Sequence, residues 1–571
     1  MASTAGQPCP QRIDPHTRFY ERARQSLRGL KTALAGPVSW RGLAILFVCA
    51  LAVRLAHVLA MTSSPYFANP VVDAGEYAVI GWSIAGGHGY PESVFWHPPG
   101  YPCFLGAIWW LVGDSFLAPR LVQSFLGAMN VAFIAWMGGR LFGRAVGGAS
   151  GAAAALYGML IYYDGELLTP TLAVFAILAT VISTMLARQA DRRALWACTG
   201  VLGGLSGTIV ATSLVVPIVA AVVSRKRAPW VLLGMALAIA PVTARNLIRG
   251  HELVVLSSNG GINFWIGNNP EYDKMVTIRP DSEWRRLIQE PARQGAHGQA
   301  AASRYFVGKS LRWAAAEPWS VVRLQAHKLR QLISGNEVFR NHAIYPARLD
   351  SPILSVLLWK TPALAFPFGL LLPLATVGLW VGWRRARLLA ALVLGLSIMV
   401  LAFFVAARYR MVLVPFLLVF AAQGARWFVA EAGWKQRLVG GACAVGLFVL
   451  SNLGQGTMDS RMNPDAEYSL ALQMGARGHM RQARTLFESV VAHRPDYVEA
   501  WLNLSVCYDE EGRTLDAKAA LARAFLLDRD ATVDLLRRFT KGGKPEVMER
   551  LFSHLREMAS PPTAISAPAT R

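Results

Sequence analysis

Residues 43–61 of the chain read LAILFVCALAVRLAHVLAM, a run of 19 residues in which Arg54 is the only formal charge. A helix needs about 20 apolar residues to cross a bilayer. Similar runs recur along the 571-residue chain, which is 54% hydrophobic and only 16% charged. This composition is not that of an ordinary soluble protein. It predicts an all-α protein built on a polytopic bundle of transmembrane helices.

We predict about eleven crossings, and two stretches need comment. The short apolar piece 101–113 predicts an interfacial or re-entrant helix rather than a span. The stretch 195–223 fits one long helix or two short ones, and we choose two because this keeps neighbouring basic loops on one side. The predicted spans are 43–61, 120–138, 147–162, 170–187, 195–208, 211–223, 229–247, 362–382, 388–406, 411–428 and 438–453.

The charge distribution orients the bundle. The net charge is +22, from 57 Lys+Arg against 35 Asp+Glu, but the basic residues concentrate in short connections and in the N-terminal tail 1–40. Short basic loops stay in the cytoplasm, so we predict a membrane domain 41–455 and no nucleic-acid partner. Residues 62–119, 249–350 and the C-terminus then lie outside. The tail is too long and polar for a signal peptide, and the six scattered cysteines lack metal or disulfide spacing.

A second domain is predicted at residues 463–560. Gly478 and Gly512 are 34 residues apart, as are Ala483 and Ala517, which is the period of a tetratricopeptide repeat. Because a repeat buries its face on a neighbour, we expect residues 532–558 to form a capping helix pair. The alternative is a generic helical hairpin. Further residues fit repeat positions: Pro495, Trp501, Leu504, Tyr508 and Ala524.

Acidic residues at predicted membrane boundaries are functional candidates, because charges there are costly. The first outer loop contains Asp73, Glu76 and Tyr77, followed by the element HPPGYP that begins at His97. The second outer turn, 164–168, reads DGELL and supplies Asp164 and Glu166. The predicted topology places all of these groups on one face.

These residues also have purely structural interpretations. Asp73 and Glu76 match the spacing of a helix-capping box. Asp164 and Glu166 suit caps for a helix beginning near residue 169, and His97 suits a turn before two prolines. The sequence alone leaves these alternatives open.

Two arginines interrupt an apolar region late in the chain. Arg408 and Arg410 fall at a predicted outer boundary, where they oppose the positive-inside trend. Guanidinium groups suit bidentate phosphate binding, so we favour an anionic lipid headgroup there over an interfacial anchor. Arg245 ends a span on the same face. Arg54, inside the first span, fits a structural role and a functional one equally well.

In combination, these elements resemble the membrane glycosyltransferases with the C-type fold. They are most similar to the branch of protein O-mannosyltransferases and the lipid A aminoarabinose transferase, glycosyltransferase family 39 and its relatives. The resemblance covers about 40–453 and includes the run NGGINFWIGNNP at 259–270. It implies a polyprenyl-phosphate sugar donor, an inverting transfer and Asp73 as general base. Ala74 follows this aspartate, where protein mannosyltransferases have glutamate, which speaks against a protein acceptor.

The residue types fit the chemistry that the resemblance implies. A lipid phosphate leaves as an anion without a proton, so one carboxylate base and positive groups on the phosphate suffice. We assign Arg408, Arg410, Arg245 and His97 to the phosphate. Glu76, Tyr77, Asp164 and Glu166 would orient the sugar or acceptor. Some relatives bind a divalent metal near the acidic groups, but this sequence offers no specific ligand set, and no metal or other cofactor is assigned.

The sequence therefore predicts a sugar transferase of a bacterial inner membrane, acting on a glycolipid, polysaccharide or protein at the outer face. One alternative is a ligase or polymerase that uses diphosphate-linked donors. The other is a non-enzymatic membrane anchor that presents the repeats. The repeat domain itself would dock a protein partner or acceptor, or cap the outer loops.

Overall fold

A computed structural model describes residues 38–278, 282–340, 344–454, 464–541 and 549–555. The predicted basic tail therefore lies almost wholly outside the described residues. The described chain is helical, with one hairpin of two very short strands, Trp359–Lys360 (β1) and Ala365–Phe366 (β2). The predicted all-α class is confirmed.

Eleven helices are described between residues 38 and 250. They are α1 Trp40–Met61, α2 Pro65–Ala68, α3 Asp73–Ala85, α4 Gly100–Val112, α5 Leu117–Phe142, α6 Arg144–Ala155, α7 Gly158–Gly165, α8 Pro170–Ala190, α9 Arg193–Ile209, α10 Val215–Val223 and α11 Ala228–Gly250. Two 3-10 turns, Ala211–Leu214 and Arg225–Arg227, flank α10.

The long second polar region and the later apolar helices follow. The helices are α12 Gly260–Gly267, α13 Tyr272–Val276, α14 Ser282–Arg293, α15 Gln299–Ala316, α16 Pro318–Ile333, α17 Ala347–Asp350, α18 Pro352–Leu357, α19 Phe368–Gly382, α20 Arg387–Ala402, α21 Ala407–Arg410, α22 Val414–Arg426 and α23 Trp434–Asn452. A π-helical turn, Trp427–Glu431, extends α22.

Within the described residues, four segments are long and apolar enough to cross a membrane: α1, α5, α8 and the segment Arg225–Gly250 that contains α11. A fifth is the pair α6 and α7, which is bent by 49° where one span was predicted. Shorter apolar helices include α4, α19 and α20. The protein is thus a multi-pass membrane protein, while the number of eleven crossings stays a prediction. The stretch 195–223 does form two helices, as predicted.

Small residues set the closest helix contacts in the bundle. In the pair α9 and α11, a Cβ added at Gly200 would lie 2.0 Å from the Val231 carbonyl oxygen. A Cβ at Gly234 would lie 2.0 Å from the Ala197 carbonyl oxygen. Helices in membranes pack closely where such small residues face each other. These glycines therefore fix the position of α9, whose C-terminal end leads into the cavity described below.

The C-terminal domain consists of α24 Pro464–Ala476, α25 Met480–His493, α26 Val498–Glu510, α27 Thr514–Leu527 and α28 Arg529–Lys541. Gly478 and Gly512, with φ of +83° and +75°, make the equivalent tight turns inside the two helix pairs. Residues 549–555 are also helical, and Leu551 packs on Leu536 of α28. The predicted capping pair at 532–558 thus corresponds to α28 and this last segment, as far as it is described.

The repeat domain packs against the segment that precedes α3. Ala466 and Leu470 of α24 form an apolar cluster with Tyr66 and Val71. Farther along the domain, Asp528 pairs with Arg286 of α14 at 2.7 Å. Both contacts place the repeats on the side of the bundle that carries the first polar loop.

Candidate functional site

A cavity of about 580 Å³ opens where the N-terminus of α3, the turn 209–214, α12 and the chain between α20 and α21 converge. Its polar lining includes Asp73, Glu76, His97, Asn259, Arg340 and Arg408. Its apolar lining includes Ile209, Leu214, Met399, Val400 and Phe403, from the ends of α9 and α20 and from the turn between α9 and α10. The cavity therefore has a charged part and an apolar part that belongs to membrane helices.

Asp73 and Arg408 form the centre of the charged part. The Asp73 carboxylate accepts a hydrogen bond of 2.5 Å from Nη1 of Arg408, and their side chains are only 18% and 13% exposed. Burial alone would raise the pKa of Asp73. The charges of Arg408 and His97 and the hydrogen bond from Arg408 outweigh it, so the net pKa lies well below its ordinary value. Asp73 is therefore ionised, and its place in the first turn of α3 favours a negative charge.

The capping-box interpretation of Asp73 and Glu76 is wrong. Val72 occupies the N-cap position of α3, and no side chain of the described residues makes a capping hydrogen bond there. Asp73 binds Arg408 instead, and Glu76 binds His97. Both carboxylates are thus turned toward the cavity and away from the helix terminus.

The backbone immediately before Asp73 is strained. Val72 has φ +51° and ψ −127°, a conformation that a β-branched residue rarely adopts. Such strain costs on the order of 1–3 kcal/mol and persists only where the surroundings impose it. The Val72 side chain packs against the cluster that contains Ala466 and Leu470 of the repeat domain. The direction of Asp73 is therefore set in part by the C-terminal domain.

His97 connects the first loop to α12. Its Nε2 lies 2.9 Å from Oε2 of Glu76, and its Nδ1 lies 3.2 Å from Nδ2 of Asn259. The Tyr77 ring meets it edge-on at 5.2 Å. Burial lowers the pKa of His97, but the Glu76 hydrogen bond and the charge of Asp73 raise it more, so the net pKa is raised. The Glu76 and Asp73 carboxylates therefore stabilise the protonated form of His97.

Arg340 is a cationic residue of the cavity that the sequence analysis missed. Its guanidinium lies over the Phe404 ring, 4.3 Å from the centroid. Its Nη1 is buried with no hydrogen-bond partner, and no ion pair joins it to any residue that the structure describes. Burial lowers its pKa, as does the charge of Arg408. Arg340 follows no recognisable motif, so only the tertiary structure reveals it.

A smaller cavity of about 40 Å³ adjoins the first and shares Arg340 and Arg408 with it. Glu166 lines this smaller cavity, together with Arg120 and Tyr163. The structure therefore places Glu166 in a cavity that shares its two arginines with the one lined by Asp73.

Asp164 has a different environment from the one predicted. Its carboxylate accepts a 2.6 Å hydrogen bond from Arg54 and a 2.7 Å hydrogen bond from the Thr171 hydroxyl, deep in the bundle. Asp164 thus neutralises the one charge of the first span and joins α7 to α1 and α8. The role of Asp164 in orienting a substrate is not supported, because the carboxylate is enclosed by these partners. The pairing also makes Arg54 structural.

Two predicted phosphate ligands are also structural. Arg410 is 1% exposed, pairs with Glu337 at 2.5 Å and donates to the Ser334 and Asn336 carbonyl groups. Arg245 donates to the carbonyl groups of Ser93 and Glu92, which holds the loop before His97. Both guanidinium groups are already occupied by protein partners, so neither is available to a ligand.

A metal site would need several ligating side chains close together within the described ranges. Within them, no group of three or more His, Cys, Asp or Glu side chains is arranged to hold a metal ion. The two carboxylates of the cavity instead pair with cationic side chains, Asp73 with Arg408 and Glu76 with His97.

The fold and the cavity define a multi-pass helical membrane protein whose extramembrane repeat domain borders a charged pocket. Residues 476–538 match the sequence profile of the tetratricopeptide repeat family, which confirms the predicted repeats over the generic hairpin. No curated protein sequence matches the chain significantly.

Several solved structures are similar to this chain at low identity. ArnT from Cupriavidus metallidurans bound to undecaprenyl phosphate is 13% identical over 90% of this chain and 78% of its own, with a TM-score of 0.37. The apo oligosaccharyltransferase of Archaeoglobus fulgidus is 12% identical over 76% of this chain and 58% of its own, with a TM-score of 0.41. The archaeal oligosaccharyltransferase AglB from Archaeoglobus fulgidus, in complex with an inhibitory peptide and a dolichol-phosphate, is 13% identical over the same shares, with a TM-score of 0.36. Because these identities and TM-scores are low, the function is inferred below from the residues of the cavity.

Proposed function

We propose that this protein is an integral membrane glycosyltransferase. It transfers a sugar from a polyprenyl-phosphate donor to an acceptor hydroxyl, with inversion, at the outer face of a bacterial inner membrane. The observation that carries the proposal is the ionised Asp73 carboxylate, held by Arg408 in a cavity that apolar residues at the ends of α9 and α20 also line. Arg340 lies in the same cavity and has no ion-pair partner among the described residues.

The cavity matches the two parts of such a donor. The apolar residues at the ends of α9 and α20 suit the first units of a prenyl chain, because burying apolar surface is favourable by about 25 cal/mol per Å². Arg340 and Arg408 suit the phosphate, since charge-assisted hydrogen bonds from guanidinium groups are short and strong. The buried Nη1 of Arg340 can bind an anion without breaking a hydrogen bond or an ion pair that the structure describes.

Donor binding would also activate the base. In the empty cavity Arg408 holds the pKa of Asp73 low, which makes the carboxylate a weak base. A phosphate that attracts the Arg408 guanidinium weakens this ion pair, and the basicity of Asp73 then rises. Arg408 would thus exchange its contact with the Asp73 carboxylate for one with the phosphate leaving group as the donor enters.

The transfer itself needs one proton acceptor and one stabilised anion. Asp73 removes the proton from the acceptor hydroxyl while the oxygen of that hydroxyl bonds to the anomeric carbon. The bond from that carbon to the phosphate oxygen breaks, and its electron pair leaves with the lipid phosphate. Arg408 and Arg340 stabilise the added charge. Attack from the face opposite the phosphate inverts the anomeric carbon, and Glu76, Tyr77 and His97 line the space in which the sugar would be oriented.

The test follows donor consumption by purified protein in lipid bilayers. A panel of radiolabelled polyprenyl-phosphate sugars would be supplied to the wild type, to Asp73→Asn and to Asp114→Asn. Asp114 is an exposed aspartate of the same polar region and serves as the matched control. We expect one donor to be consumed by the wild type and Asp114→Asn but not by Asp73→Asn. Equal consumption by all three proteins would reject Asp73 as the base.

The same panel distinguishes the alternative donor class. Two arginines could also neutralise a diphosphate, so diphosphate-linked sugars would be included. Consumption of only these donors would indicate the ligase or polymerase reaction. If neither donor class binds or reacts, the proposed enzyme is excluded and a membrane anchor for the repeats remains.

A further inference from the structure

The repeat domain borders the same cavity as Asp73. We propose that α24, its first helix, forms the acceptor wall of the active site and that Asp465 and Ser469 contact hydroxyl groups of the acceptor. This inference rests on the proposed function. It gives the repeat domain a direct part in substrate recognition, in addition to any protein partner that the repeats bind.

The faces of α24 have separate tasks. Asp465 and Ser469 are four residues apart, so they lie one above the other on one face of the helix, and both line the cavity. Tyr468 and Ala471 instead enter the core of the repeats. Ala466 and Leu470 pack on Tyr66 and Val71 of the first loop, as described above. One short helix therefore belongs to the repeat core, to the domain contact and to the cavity at once.

Hydrogen bonds fix α24 against the segment that leads to the base. Gln473 donates to the Pro70 carbonyl oxygen at 2.6 Å, and Arg477 donates to the Ala68 carbonyl oxygen at 3.3 Å. Gly75 allows this close packing, because a Cβ there would lie 2.8 Å from the Pro70 oxygen. The acceptor wall is thus attached to the backbone only a few residues before Asp73.

The chemistry of this wall fits the acceptor better than the donor. Asp465 pairs with Arg494 at 3.0 Å, and its carboxylate would repel a phosphate, whereas carboxylates and hydroxyls bind sugar and alcohol hydroxyls well. The Ser469 hydroxyl already donates to the Asp465 carbonyl oxygen at 2.9 Å, so its oxygen remains able to accept. Cationic and apolar groups for the donor lie on the other elements. The acceptor is therefore a molecule rich in hydroxyl groups that enters between α24 and Asp73.

The test places a large side chain on the cavity face of α24. It measures transfer to the acceptor and binding of the donor lipid separately. Ser469→Trp would be compared with Thr485→Trp, a control at an exposed hydroxyl residue of α25. The donor would be the radiolabelled one that the wild type consumes. The acceptor would be supplied as membranes of source cells lacking the gene, which carry it unmodified. Transfer is the amount of label that enters these membranes. Binding of unlabelled polyprenyl phosphate and the melting temperature would be measured on the same full-length proteins.

We expect Ser469→Trp to lower transfer at least tenfold, with the Kd for polyprenyl phosphate changed less than twofold. Thr485→Trp should transfer like the wild type. If Ser469→Trp fails to fold, Ser469→Cys would be purified and then modified with a bulky maleimide, with Thr485→Cys as its control, and the same loss of transfer is expected. Transfer at the wild-type rate by Ser469→Trp or by the maleimide-modified Ser469→Cys overturns the acceptor wall but leaves Asp73 chemistry intact. If the wild type consumes no donor, the proposed function and this inference fall together.

Discussion

Replacing Arg340 by methionine should weaken donor binding and, at the same time, stabilise the empty protein. The Arg340 guanidinium lies over Phe404 with its Nη1 buried and unpartnered among the described residues. Leaving a polar group unsatisfied in this way costs about 1–3 kcal/mol, and more when the group is charged. Methionine keeps an apolar contact with Phe404 and removes that cost, so the free energy of unfolding should rise by about 1–3 kcal/mol.

The donor should respond in the opposite direction. A hydrogen bond to a charged group contributes about 1.5–3 kcal/mol, which corresponds to a Kd about 10- to 150-fold higher. Thermal unfolding of the empty protein and binding of polyprenyl phosphate, both in lipid nanodiscs, would measure the two effects separately. The opposite signs matter, because a residue that merely supports the fold would lose stability when it is removed.

Arg410→Met is the comparison variant for Arg340→Met, because the Arg410 guanidinium is enclosed by protein partners and should not contact the donor. A methionine at 340 that lowers the melting temperature, or that leaves the Kd for polyprenyl phosphate unchanged, would refute the assignment of Arg340 to the donor phosphate.

Three further outcomes are expected. Arg410→Met breaks a buried pair with Glu337 and should lower the free energy of unfolding by about 3–5 kcal/mol. Thermal unfolding would measure this loss, and the folded fraction should bind polyprenyl phosphate normally. Unchanged stability would contradict the prediction. Asp73→Asn should lower single-turnover transfer by roughly 10²–10⁴ with donor affinity equal or tighter, because Arg408 is freed; weaker donor binding would argue against the proposed switch of Arg408. The pKa of His97 is raised by Glu76, so their contact stabilises the protein below the unfolded pKa of about 6.5 and this stabilisation is lost as the pH rises through the folded value. The difference in melting temperature between wild type and Glu76→Gln should therefore shrink between pH 6 and 9, and a constant difference would contradict the raised pKa of His97.

Periodicity and repeat spacing were sufficient for the all-α class, the two helices in 195–223 and the tetratricopeptide repeats. The first loop and the arginines near residue 408 were also predicted to share a face, although Asp73 and Arg408 are 335 residues apart. Topology made that prediction feasible, because it depends only on which side each loop occupies. The bend between α6 and α7 was missed. Gly158 marks it, since a Cβ there would lie 2.2 Å from the Leu357 carbonyl oxygen, and that neighbour is unknown before folding.

The individual side chains were harder to assign. Arg408 and Arg410 have the same chemistry and similar flanks, yet residues two apart in a helix face away from each other. One lies in the cavity and the other is enclosed beside Glu337. Asp164 and Arg54 were each identified as unusual charges, but their pairing joins helices 110 residues apart in sequence. Local sequence carries no information about which partner a buried charge will find.

The hydrogen bond between Gln473 and Pro70 has a consequence for the order of biosynthesis. Its two residues are 403 positions apart, and at about 5–20 residues per second a ribosome needs roughly 20–80 s to add the second after the first. During that interval the first loop has left the ribosome while Val72 has no repeat domain to pack against. Asp73, the proposed base, therefore lacks part of the support for its final direction until the repeat domain, about the last fifth of the chain, has folded. A transferase assembled in this order would remain inactive until its repeat domain has been synthesised.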